Sequence, residues 1–158
     1  MPNTQSMCTS FLGEVLTATH NFGTAPTRGA GTADTFKAAL YLASATVNAS
    51  TTAYSSTGEV TGTNYSPGGV NVTNANAPLS SNTSATAGTG YWTPSASLTY
   101  TNVTLSTAFD AVLIYNSTQS NKAVSVHTFG SQTVTAGTFT LTMPSNTTST
   151  ALLRLATT

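Results

Sequence analysis

Seven His, Cys, Asp or Glu side chains make up the whole supply of metal ligands in this chain: Cys8, His20, His127, Glu14, Asp34, Glu59 and Asp110. A metal site needs several of them to converge. None shares a ligand-like spacing except Glu14 and His20, across an expected helix end, and one such pair does not make a metal site. Two carboxylates flanking a cleft are the minimum for glycoside hydrolysis. Glu59 and Asp110 are the formal candidates, with Tyr91 and Trp92 the nearest sugar platform. Hydroxyls abound, yet the strained Gly-x-Ser-x-Gly turn that exposes a nucleophilic serine is absent. Gly29-Ala30-Gly31 is too short to cradle a phosphate, follows no strand and opens no helix. His127, on an expected strand, reads as a partly buried or interface residue. Asp110, inside an apolar run, is expected to face outward or to pair with Lys122 or Lys37. Cys8 has no partner for an intrachain disulfide and reads as a small buried hydrophobe. The expected catalytic, cofactor-binding and metal-ligating sets are therefore empty.

The composition explains why so few groups compete for chemistry. Of 158 residues, 54 are Ser or Thr, against four Lys or Arg and four Asp or Glu. Ordinary domains keep about a quarter of their residues charged, which holds them soluble and apart. A neutral coat of hydroxyls and amides has little self-repulsion and suits lasting contact with neighbours. Arg28, Lys37, Lys122 and Arg154 are scattered singly, so the phosphate-neutralising patch of a nucleic-acid binder is missing. No apolar run reaches the length of a membrane-spanning helix. The N-terminus lacks a basic stretch, and Glu14 interrupts its apolar run, so no secretory signal is read there. Asn-x-Ser/Thr triplets begin at Asn48, Asn64, Asn71, Asn82, Asn102, Asn116 and Asn146. A chain one-third Ser and Thr produces many such triplets by chance, and they are not read as glycosylation sites.

The elements follow from spacing. Met7, Phe11, Val15 and Leu16, with Cys8 and Leu12 beside them, recur as on one helix face, predicting a short amphipathic helix over 5–18. Thr4 or Ser6 would cap its start, and the stretch His20 to Gly23 would end it. Residues 23–33 read as a loop or arm. Phe36 to Leu42 reads as a buried strand, with shorter signals at Tyr54 to Val60 and Val70 to Thr73. Residues 74–90 hold almost no core residue and read as a long exposed loop. Leu98 to Tyr100, Val103 to Leu105 and Phe109 to Tyr115 read as strands, the last being the most apolar and hence central. A turn at Asn116 to Asn121 leads into an alternating strand over Lys122 to Phe129. Turns are expected at Gly130-Ser131 and Gly137, then a half-buried strand with Phe139, Leu141 and Met143 on one face. Ala151 to Ala156 supplies a last strand. Short strands at such spacing predict an all-β fold, a single β-sandwich or jelly-roll-like domain over 34–158, preceded by the helix and arm of 1–33.

An ordered series of segments carries a resemblance. Gln5-Ser6-Met7-Cys8-Thr9-Ser10-Phe11, Thr35 to Tyr41, Gly58-Glu59-Val60-Thr61-Gly62 with Tyr65 and Gly68-Gly69, and Ala111-Val112-Leu113-Ile114-Tyr115-Asn116-Ser117 are its first parts. Asn121 to Val124, Thr128-Phe129-Gly130, Gly137 to Thr140 and Ala151-Leu152-Leu153-Arg154-Leu155-Ala156 complete it. Taken together they resemble a family of small virion structural proteins of tailed bacteriophages, over nearly the whole chain. Where that family carries a charged, Lys-bearing helix start after the residue matching Phe11, this chain has Leu12-Gly13.

The resemblance implies an architectural part of a phage particle with no enzymatic activity and no cofactor. The expected role is a capsid decoration (cement) protein on the outer shell. Its partners would be the major capsid protein or other virion proteins and further copies of itself, with no direct contact to nucleic acid or membrane. Residues 74–90 or 1–33 would reach those neighbours. A neck, tail or baseplate accessory or fibre-attachment protein is the alternative. A carbohydrate-binding adhesion module, with Tyr91, Trp92 and Tyr100 as its stacking platform, is a further one.

Overall fold

The computed structural model describes residues 3–16, 18–22, 33–73, 75–81 and 88–156. It is an all-β, two-sheet, sandwich-like fold with one short helix. Strands β1 (Ser6–Met7), β2 (Phe36–Leu42), β3 (Val70–Val72), β6 (Leu98–Asn116) and β7 (Lys122–Leu141) form one antiparallel sheet in the order β1-β7-β6-β2-β3. Strands β4 (Leu79–Ser81), β5 (Thr89–Trp92) and β8 (Leu153–Ala156) form a second sheet in the order β4-β5-β8. The helix α1 spans Thr9–Leu16.

The strongest apolar run is central, as its composition demands. Ala111 to Asn116 of β6 are buried on both faces, with β2 pairing along one edge and β7 along the other. Burying each large apolar side chain of this stretch stabilises the fold by roughly 1.5–3 kcal/mol. The length of β6 and β7 differs from the expected series of short strands. Leu98 lies opposite Leu141 and Asn116 opposite Lys122, so one long hairpin takes in all of those segments. Gly130 and Gly137, expected as turns, lie within β7 at or beside register shifts. A bulge adds residues to one strand, bends it and steepens its twist without ending the pairing. The bent ribbon returns Tyr100 to the body, where its hydroxyl donates to the Ala38 carbonyl at 2.8 Å. Phe139 packs against Phe109 and Tyr100 at ring separations of 5.1 and 6.0 Å.

Other expectations shift locally. The segment Tyr54 to Val60 forms only isolated bridges and turns, held by Glu59 opposite Tyr41 and Ala53 opposite Lys122. Within 74–90, the described residues hold β4 and the first half of β5 rather than an open loop, while 74 and 82–87 lie outside the described residues. Residues 23–32 of the expected arm also lie outside them.

The helix begins later than its periodicity predicts, because Ser6 and Met7 pair with Val126 and Ser125 of β7. The amide of Cys8 continues that contact, donating to the Val124 carbonyl at 3.0 Å. Phe11 points into the core and Leu12 outward; the Leu16 side chain lies outside the described residues. The helix ends at Leu16 and is closed by Ala18 rather than by the expected glycine. The Thr19 amide donates to Glu14 and the Ala18 amide to Val15, the double closure of a Schellman end, with Ala18 at φ 53°. The described part of the N-terminal segment is thus built into the sandwich.

Candidate functional site

The four carboxylates show what the polar groups of this chain do. Glu14, from the last turn of α1, accepts a hydrogen bond from Lys122 Nζ at 2.7 Å and lies 2.7 Å from His20 Nε2. On the other side of the ring, Nδ1 lies 3.1 Å from Asn116 Nδ2, which also donates to Asp34 Oδ2 at 2.7 Å. This geometry assigns the proton to Nε2 and makes Nδ1 the acceptor. The His20 side chain is 0% exposed, and the Phe11 ring packs against it, tilted, at a centroid separation of 4.9 Å. Burial opposes ionisation of Glu14, but the hydrogen bonds from Lys122 and His20 outweigh it and hold its carboxyl below the usual value. Both ring nitrogens of His20 are engaged, so this histidine ties the helix end to the β6–β7 turn and offers no free base.

Glu59 stands in a second network that the sequence did not announce. Its Oε1 accepts from the Tyr65 hydroxyl at 2.8 Å and the Gly68 amide at 2.7 Å, and its Oε2 accepts from Tyr54 at 2.6 Å. Three donors satisfy a buried carboxylate, which would otherwise cost several kcal/mol to desolvate. Burial first, and the Glu59 charge second, push the Tyr115 hydroxyl up to about 12. Burial likewise raises Tyr54, Tyr65 and Tyr100, with Glu59 adding to each. These phenols stay protonated and serve as donors. The spacing of Tyr54, Glu59 and Tyr65 was the only trace of this network in the chain.

Asp110 accepts from Asn3 Nδ2 at 2.6 Å, and so neither of the two lysines expected beside it is its partner there. Glu59 and Asp110 hold separate partner sets, and neither is seen bonded to the other. Cys8 is buried, and burial followed by the nearby Glu14 charge pushes its thiol up to about 11. Among the described residues, no three His, Cys, Asp or Glu side chains come together as a metal would require.

The stacking platform is dismantled by the fold. Trp92 and Tyr100 are each 3% exposed. Trp92 packs on Phe22 at 4.7 Å and its Nε1 donates to the Asn76 carbonyl at 3.0 Å. Tyr91 remains partly exposed, on the rim of an apolar groove between α1 and the smaller sheet. Leu79 and Leu155, 49% and 40% exposed, line the same groove.

His127 lies in a different place, a cleft of about 490 Å³ that it shares with Ser125, Met7 and Arg154. Its Nε2 is 2.9 Å from Ser125 Oγ, and burial lowers it to about 4. Among the described residues this imidazole beside a lone hydroxyl has no orienting acid, so the two do not make an activated nucleophile pair.

No family model, curated protein or solved structure matches this chain. Its functional reading therefore rests on its own geometry. That geometry puts the carboxylates to internal use and leaves mainly hydroxyls, amides and a few apolar side chains facing outward among the described residues.

Proposed function

We propose that this chain is a structural component of a tailed-phage virion, a decoration protein that binds and stabilises the outer capsid shell. One observation carries the reading: every side-chain carboxylate of the molecule is engaged within it, by Lys122 and His20, by Asn116, by Tyr54 and Tyr65, or by Asn3. What remains on the described surface is rich in hydroxyls and amides and sparse in charge, and it adheres through shape and many uncharged hydrogen bonds, about one per 100–200 Å² of interface. The ordered resemblance of the chain to small phage virion proteins supports the same role. The proposal assigns the protein no reaction and no cofactor, and gives it capsid subunits and further copies of itself as partners.

Quantifying the bands of purified particles tests this. A copy number comparable with that of the capsid subunits is expected. A handful of copies per particle, retained on isolated tails, would place the chain in the neck or tail instead. Absence from every particle fraction would overturn the virion role altogether.

A further inference from the structure

The two sheets end on one cleft. β1 is the terminal strand of the larger sheet and β8 the terminal strand of the smaller one, and both line the cavity of about 490 Å³ that holds His127. Gln5 and Met7 from the β1 end, with Ser125 and His127 from β7, lie on one side of it. Leu153 and Arg154 from β8 line the other. Among the described residues, β8 pairs only with β5, so its second edge carries main-chain donors and acceptors with no strand partner. An edge of this kind is a template for another chain unless a charge, a proline or a covering element blocks it. β8 has no proline, its last three residues are exposed, and its one charge is Arg154.

We infer that this cleft receives an extended peptide segment from a different protein, which adds as a fourth strand along β8 and sets a carboxylate against Arg154. Main-chain hydrogen bonds would hold the segment, and alternate side chains would rest on Met7, Ser125 and His127. The charge decides between occupants. Arg154 is the one permanent charge lining the cleft, and its Nη1 donates to the Ser149 carbonyl, which is neutral. A second copy of this chain has no side-chain carboxylate to offer, because Glu14, Asp34, Glu59 and Asp110 are all held internally. A partner with its own acidic residue fits where a copy does not. A four-residue strand addition is weak alone, but repeated over an assembly it gains by effective concentration. The inference rests on the assembly reading only for where such a partner is found.

Hydrogen exchange and amide chemical shifts of the full chain test it, with a capped peptide of alternating Thr and Val bearing one central Asp at millimolar concentration. Slowed exchange at the β8 amides not bonded to β5 is expected, with shifts at His127. Replacing the peptide Asp by Asn, or making Arg154→Gln in the protein, should weaken binding about two- to five-fold, the range of an exposed ion pair. A peptide N-methylated along one edge should lose binding, since it cannot form the ladder. Equal binding of the N-methylated peptide, or protection that leaves β8 unchanged, overturns the inference. Protection of β8 in a concentrated solution without peptide, together with dimer formation, overturns the hetero-partner and makes the occupant a second copy. None of these outcomes depends on the copy number in particles, so the two readings fail separately.

Discussion

Glu14 and Lys122 lie 108 positions apart in the chain, yet the Lys122 ammonium donates to the Glu14 carboxylate at 2.7 Å. With His20 on its other oxygen, Glu14 fastens the helix to the turn between the two longest strands. Its folded-state pKa is depressed, so the stabilisation is complete above the unfolded value of 4.5 and is lost as pH falls through the lower, folded value. In Glu14→Gln, the fall in stability on acidification below that value should be shallower than in the parent, read by urea unfolding at successive pH values. An unchanged slope would remove Glu14 from the account. Lys122→Met should cost at most about 1 kcal/mol, because the lysine is partly exposed to water.

His127 predicts a second, separate window. Burial lowers it from 6.5 to about 4. The unfolded chain takes up a proton near 6.5 while the folded one does not until about 4, so stability is complete above 6.5 and declines as pH falls between those values. His127→Gln should flatten that part of the curve. Direct NMR titration of the ring provides the independent reading, and a midpoint near 6.5 in the folded protein would contradict the burial argument.

Glu59→Gln replaces an acceptor of three hydrogen bonds with a group that must present an NH₂ to some of the same donors. A loss of about 2–3 kcal/mol is expected from equilibrium unfolding. A change smaller than about 0.5 kcal/mol would mean that the tyrosines re-pair without cost.

Gly69 has φ of 74°, and a Cβ there would stand 1.7 Å from the Ala38 carbonyl oxygen. Gly69→Ala should therefore destabilise by more than about 2 kcal/mol, since both the backbone conformation and the contact oppose it. Gly130→Ala is the matched control: nothing lies within 4 Å of its Cβ position, and its effect should stay within about 0.5 kcal/mol. In the opposite direction, Ala18→Gly relieves a left-handed residue at the helix end and should stabilise by about 1 kcal/mol.

Trp92→Ala separates a core role from a glycan platform. Removal of a buried indole should cost about 3–5 kcal/mol. A variant of normal stability that had lost only glycan binding would reverse this assignment. Cys8 should resist thiol reagents in the folded protein and react only on unfolding, because the buried thiol is little ionised.

How far each feature could be read in advance depended on whether its cause was local. The run Phe109 to Tyr115 lacks any interruption but Asp110, and such a stretch has to be buried on both sides; its central position followed directly. The alternation of Phe139, Leu141 and Met143 with threonines likewise marked a half-buried strand. Gly130 and Gly137 misled, because a glycine signals a break in regular pairing and cannot tell a turn from a bulge. The pairing of Tyr100 with Phe139 and of Phe109 with Gln132 decides that question, and it lies across the hairpin. The start of α1 was misplaced for the same reason: periodicity allowed a helix from residue 5, and the edge of β7 claimed Ser6 and Met7 as a strand.

The polar networks were the least visible in the chain, since Glu14 meets Lys122, and Asp34 meets Asn116, only after the sheets have formed. Composition alone settled that the molecule is β-rich, nearly neutral and poor in reactive groups, because those are sums over residues. Which of its few charges survive at the surface is a property of contacts between distant segments. Only the folded chain could bury Glu59 under tyrosines, fold Trp92 inward and leave Arg154 beside an open strand edge.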